Sequence, residues 1–194
     1  MPTGPVTSIP YGTAISSCTV EGDFALTFDD GPTSNTDHIL DLLAEAGFKA
    51  TFFVNGNLLS NIMDQQPRIK RILADGHQLG HHTYNHADLV KLNNSEIAKE
   101  MSQLEEAFIN ITGKYPTYMR FPYFSFDSRT LSVMKDLQYH TVWADIDTND
   151  WKYNTLGDRT SLGLFQSGVD AGGTLCLCHD VSSLQSATLL TTHS

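Results

Sequence analysis

Five short stretches of this chain hold the residues best suited to acid–base, metal and electrostatic chemistry, and each closes an apolar run. Thr27-Phe28-Asp29-Asp30-Gly31-Pro32 sets two adjacent carboxylates before a Gly-Pro turn. Proline cannot continue a ladder, so the strand must stop there and both carboxylates can face one cleft. Taken alone, Asp29-Asp30-Gly31-Pro32 reads equally well as a solvated turn. His82-Thr83-Tyr84-Asn85-His86 places two imidazoles four residues apart, near enough to grip one ion in either a helical turn or a curled loop. One carboxylate from elsewhere would complete a His-His-Asp face and leave positions open to water, which is what a catalytic metal needs. His77 and His81 are expected to be bystanders in a histidine-rich surface loop.

Arg120-Phe121-Pro122-Tyr123 ends another strand at a proline and brings a guanidinium and a backbone N–H to the rim. Arg120 could hold a catalytic carboxylate in place, although a lone arginine more often makes a surface ion pair. Asp147-Thr148-Asn149-Asp150-Trp151 ends the next strand with two carboxylates and an indole, and Leu175-Cys176-Leu177-Cys178-His179-Asp180 ends the last with an imidazole.

The elements needed to position these residues follow from periodicity. Strands are expected at 23–28, 49–54, 118–121, 139–146 and 173–178, where β-branched and aromatic residues cluster, with a strand end or loop at 77–83. Helices are expected between them. They cover 35–48, with Ile39, Leu40, Leu42 and Leu43 inward and Gly47 as stop, 67–74 after an opening proline, 127–137 behind an Asp127 cap, and 156–165, weakened by Gly157 and Gly163. Over 95–112 the apolar positions Ile97, Met101, Leu104, Phe108 and Ile111 recur every three or four residues. Alternating strands and helices imply a parallel β/α architecture, in which the carboxyl ends of all strands share one face. The five polar endings would then converge on a single rim.

Composition narrows the partners. A chain of 194 residues suits one domain, and 12 Lys+Arg against 22 Asp+Glu give a formal charge of −10, which disfavours nucleic acid and anionic lipid. No apolar run reaches the roughly 18 residues of a membrane span, and residues 1–17 lack the basic start and apolar stretch of a signal peptide. Three cysteines, with no CxxC pair, allow one disulfide at most. Two sequons, at Asn93 and Asn110, are compatible with secretion.

In order and spacing, the five stretches resemble the five motifs of the polysaccharide deacetylases, the NodB-like domains of carbohydrate esterase family 4, and in particular their fungal chitin deacetylase branch. The resemblance runs over 23–180, the motif-bearing core of what reads as a single NodB homology domain spanning 1–194. It implies an α/β fold, a distorted (β/α) barrel. Family members continue past the fifth motif with a helix and a strand, whereas 14 residues follow Asp180 here. The C-terminal end is therefore expected to be shortened, with at most a short helix at 184–190.

The resemblance further implies metal-dependent removal of acetyl groups from N-acetylglucosamine units of chitin or chito-oligosaccharides by a monomeric protein, secreted or in the cell wall. Asp30, His82 and His86 would bind a divalent ion, zinc first and cobalt second. Asp29 would be the general base, Arg120 its positioning partner, His179 the general acid, and Asp147 or Asp150 would act on His179. The Tyr123 N–H would face the oxyanion, with Trp151 and Leu177 beside the acetyl methyl. Relatives of the same kind would tie Cys18 to Cys176 or Cys178. Peptidoglycan deacetylase and acetylxylan esterase are the neighbouring activities, and an inactive carbohydrate-binding cell-wall protein is the reading from another class.

Overall fold

The computed structural model describes residues 9–155 and 157–180. Along the chain run β1 (Ala14–Ile15), β2 (Ala25–Gly31), α1 (Thr36–Ala46), β3 (Thr51–Val54), α2 (Gln66–Ala74), β4 (Gln78–His81) and α3 (Asn94–Thr112). There follow β5 (Tyr118–Met119), α4 (Ser128–Asp136), β6 (His140–Val142), β7 (Ile146–Asp147), α5 (Thr160–Asp170) and β8 (Leu175–His179). All eight strands are parallel, in the order β1-β6-β5-β4-β3-β2-β8-β7.

That order forces the sheet to curl. β6 and β7 lie six strand spacings apart, about 29 Å across a flat sheet, yet only residues 143–145 join them. The four residue steps from Val142 to Ile146 reach about 14 Å at most. The two ends of the sheet must therefore approach each other, and the result is a distorted barrel in which, among the described residues, β1 and β7 form the two edges.

The expected single strand over 139–146 is thus two strands at opposite ends of the sheet. Its interruption has a clear cause: the Asp145 carboxylate accepts the N–H groups of Thr174 and Leu175, while Trp143 N–H donates to Ile15 O, so backbone pairing changes partner within three residues. The helix expected at 156–165 begins instead at Thr160, because Gly157 sits at φ +85° and Asp158 accepts from the Thr160 N–H.

The helices behave as their patterns require. Ile39, Leu40 and Leu43 of α1 are buried, Leu42 is only partly so, and Gly47 takes the left-handed φ of +71° that ends the helix. α3 opens with a capping box between Asn93 and Glu96. Leu104, Phe108 and Ile111 pack with α1, α2 and the outer faces of Phe28, Phe52 and Val54. Strands buried on both faces need little alternation, which is why the central ones read as continuous apolar runs. Among the described residues no helix is long and apolar enough to cross a membrane.

Two expectations fail on burial. His81 is fully buried and His77 95% so; neither lies in a surface loop. Their ring nitrogens satisfy neighbouring backbone: His81 Nδ1 accepts from Thr83 N–H and its Nε2–H donates to Met101 O, while His77 Nδ1 accepts from Ala50 N–H. Burial pushes His81 down to about 3 and keeps it neutral. The disulfide is also absent. Cys176 and Cys178 sit in the core between sheet and helices, whereas Cys18 bonds through its backbone N–H and its thiol to Thr174 and lines a cavity with Leu175 of the opposite face. Side chains of opposite faces of one strand cannot meet without unpicking the sheet. The short helix expected at 184–190 lies outside the described residues.

Candidate metal and acid–base site

The carboxyl ends of β2, β4, β5, β7 and β8 meet at a cleft of about 460 Å³ lined by Asp29, Asp30, His82, His86, Trp151 and His179 among others. Its backbone is unusual. Of seven non-glycine residues with positive φ among those described, six (Asp30, Thr83, His86, Tyr123, Phe124 and Asn149) belong to the turns of this rim, and Gln138 alone lies elsewhere. Such conformations cost energy at residues with a Cβ and concentrate where geometry is imposed for function.

The first effect is on the adjacent aspartates. Successive residues of a regular strand face opposite sides. Here β2 bulges between Asp29 and Gly31, with Asp30 at φ +70°, so the ladder skips a residue opposite Phe53 and Val54. The bulge brings both carboxylates to the same cleft.

Asp29 is 97% buried and held by Arg120, the largest fully buried side chain among the described residues. Arg120 Nη1 donates to Asp29 Oδ1 at 2.8 Å and to Thr27 Oγ1 at 2.7 Å, and Nη2 donates to Trp143 O at 2.7 Å. The guanidinium carbon stands 4.5 Å above the Phe53 ring. A buried guanidinium is tolerated only with such partners, so this is no surface ion pair. Its grip makes Asp29 a fixed acceptor at the cleft floor.

Asp30, His82 and His86 form the group able to hold a cation. One donor atom from each lies within 4.8 Å of the others, His86 Nε2 being 3.2 Å and His82 Nε2 3.5 Å from Asp30 Oδ1. His82 Nδ1–H donates to Arg120 O at 2.8 Å, which fixes the tautomer and leaves Nε2 as the free ligand atom. Asp30 Oδ1 is buried without a hydrogen-bond partner, a costly state that a bound ion would relieve. Protonation states agree. Burial raises Asp30, but contacts with His82, then the charges of His86 and His179, outweigh it and hold the carboxyl at about 2. Burial, then His82, pushes His86 down to about 4. His82 is raised: burial opposes the charged ring, while Asp29 and Asp30 overcome it. The field that favours a proton there equally favours a cation. An oxygen and two imidazole nitrogens therefore fit a divalent metal.

Across the cleft, the pairing that the sequence left between two aspartates resolves. Asp150, wholly buried, accepts His179 Nδ1–H at 2.7 Å through Oδ1 and the His179 backbone N–H at 2.7 Å through Oδ2. Asp147 is exposed on the cleft wall and accepts from Asn149 N–H. Burial acts against a charged His179, but the Asp150 hydrogen bond and charge, with Asp29 and Asp30 behind them, push it up to about 9. Tyr123 and Trp151 are 69% and 54% exposed at the rim, and Leu177 lines the wall. All eleven residues singled out from sequence stand at or against this cleft. Sequence reasoning missed Trp143, whose carbonyl anchors Arg120, and Phe53 beneath the guanidinium. Neither has reactive chemistry to signal it.

The polysaccharide deacetylase pattern matches residues 16–142 of this chain. A chitin deacetylase of Arthroderma benhamiae is 49% identical over 90% of the chain and 47% of its own length. A probable peptidoglycan-N-acetylglucosamine deacetylase of the same organism is 46% identical over 93% of the chain and 42% of its own length. The chain thus spans a little under half of both curated relatives. The solved chitin deacetylase of Colletotrichum lindemuthianum superposes with a TM-score of 0.89 at 39% identity, covering 94% of this chain and 84% of that one.

Proposed function

The chain belongs to the polysaccharide deacetylase family, and we propose that it is a secreted or cell-wall, metal-dependent hydrolase removing N-acetyl groups from N-acetylglucosamine units of chitin or chito-oligosaccharides, with release of acetate. The observation that carries this reading is one cleft holding an Arg-clamped carboxylate, an imidazole hydrogen-bonded to the buried Asp150 carboxylate, and a His-His-Asp group with an unpartnered buried oxygen.

Asp30, His82 and His86 would hold the ion. When bound, a divalent cation lowers the pKa of a coordinated water to roughly 7 and polarises an amide carbonyl. Asp29, fixed by Arg120, accepts the proton of the attacking water. The Tyr123 backbone N–H, at the left-handed turn of the Arg120 strand end, donates to the developing oxyanion. His179, held cationic by Asp150, gives its proton to the departing amine, which is too basic to leave as an anion. Trp151 and Leu177 bound the space for the acetyl methyl and keep water from it.

The test is acetate release from N-acetylglucosamine oligomers, with and without a chelator. Release that the chelator stops and added Zn²⁺ or Co²⁺ restores supports the proposal. Release only from peptidoglycan strands or acetylxylan moves the substrate to those polymers. Binding of oligomers without any acetate would make the protein a carbohydrate-binding module.

A further inference from the structure

We infer that Asn55, with Gly56 and Asn57, is a positioning clamp that sets the His82–His86 turn against the Asp30 turn, so that the three ligand atoms converge. The inference rests on reading Asp30, His82 and His86 as a metal site. Asn55 follows β3 directly and belongs to none of the five sequence motifs. It is 98% buried.

Its three polar connections run to both ligand-bearing turns. The backbone N–H donates to Gly31 O at 2.9 Å, beside Asp30. The side-chain Nδ2 donates to His82 O at 2.5 Å and to Thr83 O at 3.0 Å. Two carbonyls on one side of the amide require its nitrogen there, which settles the flip and leaves Oδ1 without a partner. The next two residues continue the contact: Gly56 N–H and Asn57 N–H both donate to Tyr84 O, at 3.0 and 2.7 Å. Three consecutive carbonyls, of residues 82, 83 and 84, are thus satisfied by three consecutive residues.

Such restraint is needed because the turn opposes ordinary preferences. Thr83 is β-branched yet sits at φ +66°, and His86 at φ +55°. A glycine is required at 56, where a Cβ would lie 2.1 Å from the Tyr84 ring. Asn55 does not line the cleft and reaches it only through the backbone of the turn, so it is a positioning residue and not a catalytic one. Partners one step behind metal ligands commonly change metal affinity 10- to 100-fold when removed.

The probe is Co²⁺, titrated into the metal-free wild type and read by its visible absorption spectrum. Asn55→Asp keeps the shape but loses the donor, and Asn55→Ser cannot reach both carbonyls. Each is expected to bind Co²⁺ at least about tenfold more weakly, with an altered spectrum and unchanged far-UV circular dichroism. Ile72→Val, which thins the core under α2 and removes no polar contact to either turn, lowers the melting temperature and leaves Co²⁺ affinity as it was. Wild-type affinity in either folded Asn55 variant overturns the clamp alone. Absence of Co²⁺ binding by the wild type overturns the metal reading, and the clamp with it. A readout independent of variants is amide exchange: Co²⁺ should slow exchange at Gly56 and Asn57 in the wild type, because fixing the His82–His86 turn fixes Tyr84 O. Unchanged exchange there also overturns the clamp.

Discussion

Replacing Asp150 with Asn should convert a broad alkaline range of activity into a narrow one. In the native cleft the Asp150 carboxylate lies 2.7 Å from His179 Nδ1, out of solvent, and supplies the largest contribution raising His179 to about 9 against its own burial. Without that charge Asp29 and Asp30 are left to oppose the burial, and the imidazole falls toward the ordinary histidine value of about 6.5. A fall of about 2.5 in pKa is about 3.4 kcal/mol of lost preference for the imidazolium. At pH 8 the fraction able to donate a proton drops from about 0.9 to about 0.03, a loss of about 30-fold, while at pH 5.5 both proteins keep about 0.9 or more protonated and differ little. Initial rates of acetate release between pH 5 and 10, with metal saturating, read this directly: the alkaline limb should move from near 9 to about 6.5. An equal loss at every pH, or a limb that stays in place, would refute the link between Asp150 and the acid.

The neighbouring aspartates should separate by metal content. Asp30→Asn is expected to lose bound ion and to recover part of its activity in excess metal, whereas Asp29→Asn keeps the ion and loses turnover beyond rescue; equal metal loss in both, measured by elemental analysis, would make the pair a joint ligand. Arg120→Ala leaves the buried Asp29 carboxylate without its guanidinium, so unfolding should be easier by about 3–5 kcal/mol, seen as a lower urea midpoint at constant slope. A change below about 1 kcal/mol would mean that water replaces the guanidinium.

How much of this could be read from the residues in order is instructive at particular places. α3 declares itself because its apolar positions recur with helical period over nineteen residues and its ends carry Asn93 and Gly113. The five polar strand ends were legible because proline, glycine and paired ionisable residues interrupt apolar runs, and parallel topology sends all such ends to one face. The strand expected at 23–28 runs from Ala25 to Gly31, and it ends later because the ladder continues through Asp29 to Gly31 by way of a bulge. His81 looked like surface because polarity alone implies exposure; its ring pays no such rule, since backbone of α3 and of its own turn satisfies both nitrogens.

The order of residues already carries the available chemistry, adjacent carboxylates, spaced imidazoles, an arginine and a late histidine, and the parallel β/α alternation that gathers them. Which of these groups pair follows from the folded chain. Asp147 and Asp150 are equivalent along the chain, three residues apart, but curling the sheet buries one against His179 and leaves the other in solvent. Cys18 and β8 are neighbours, yet the sheet separates their thiols. Asn55 acquires its role solely from two turns distant in sequence that the barrel brings to its end. Local pattern records period and propensity; pairing, burial and the shared electrostatic field depend on long-range closure, which no window of neighbouring residues contains.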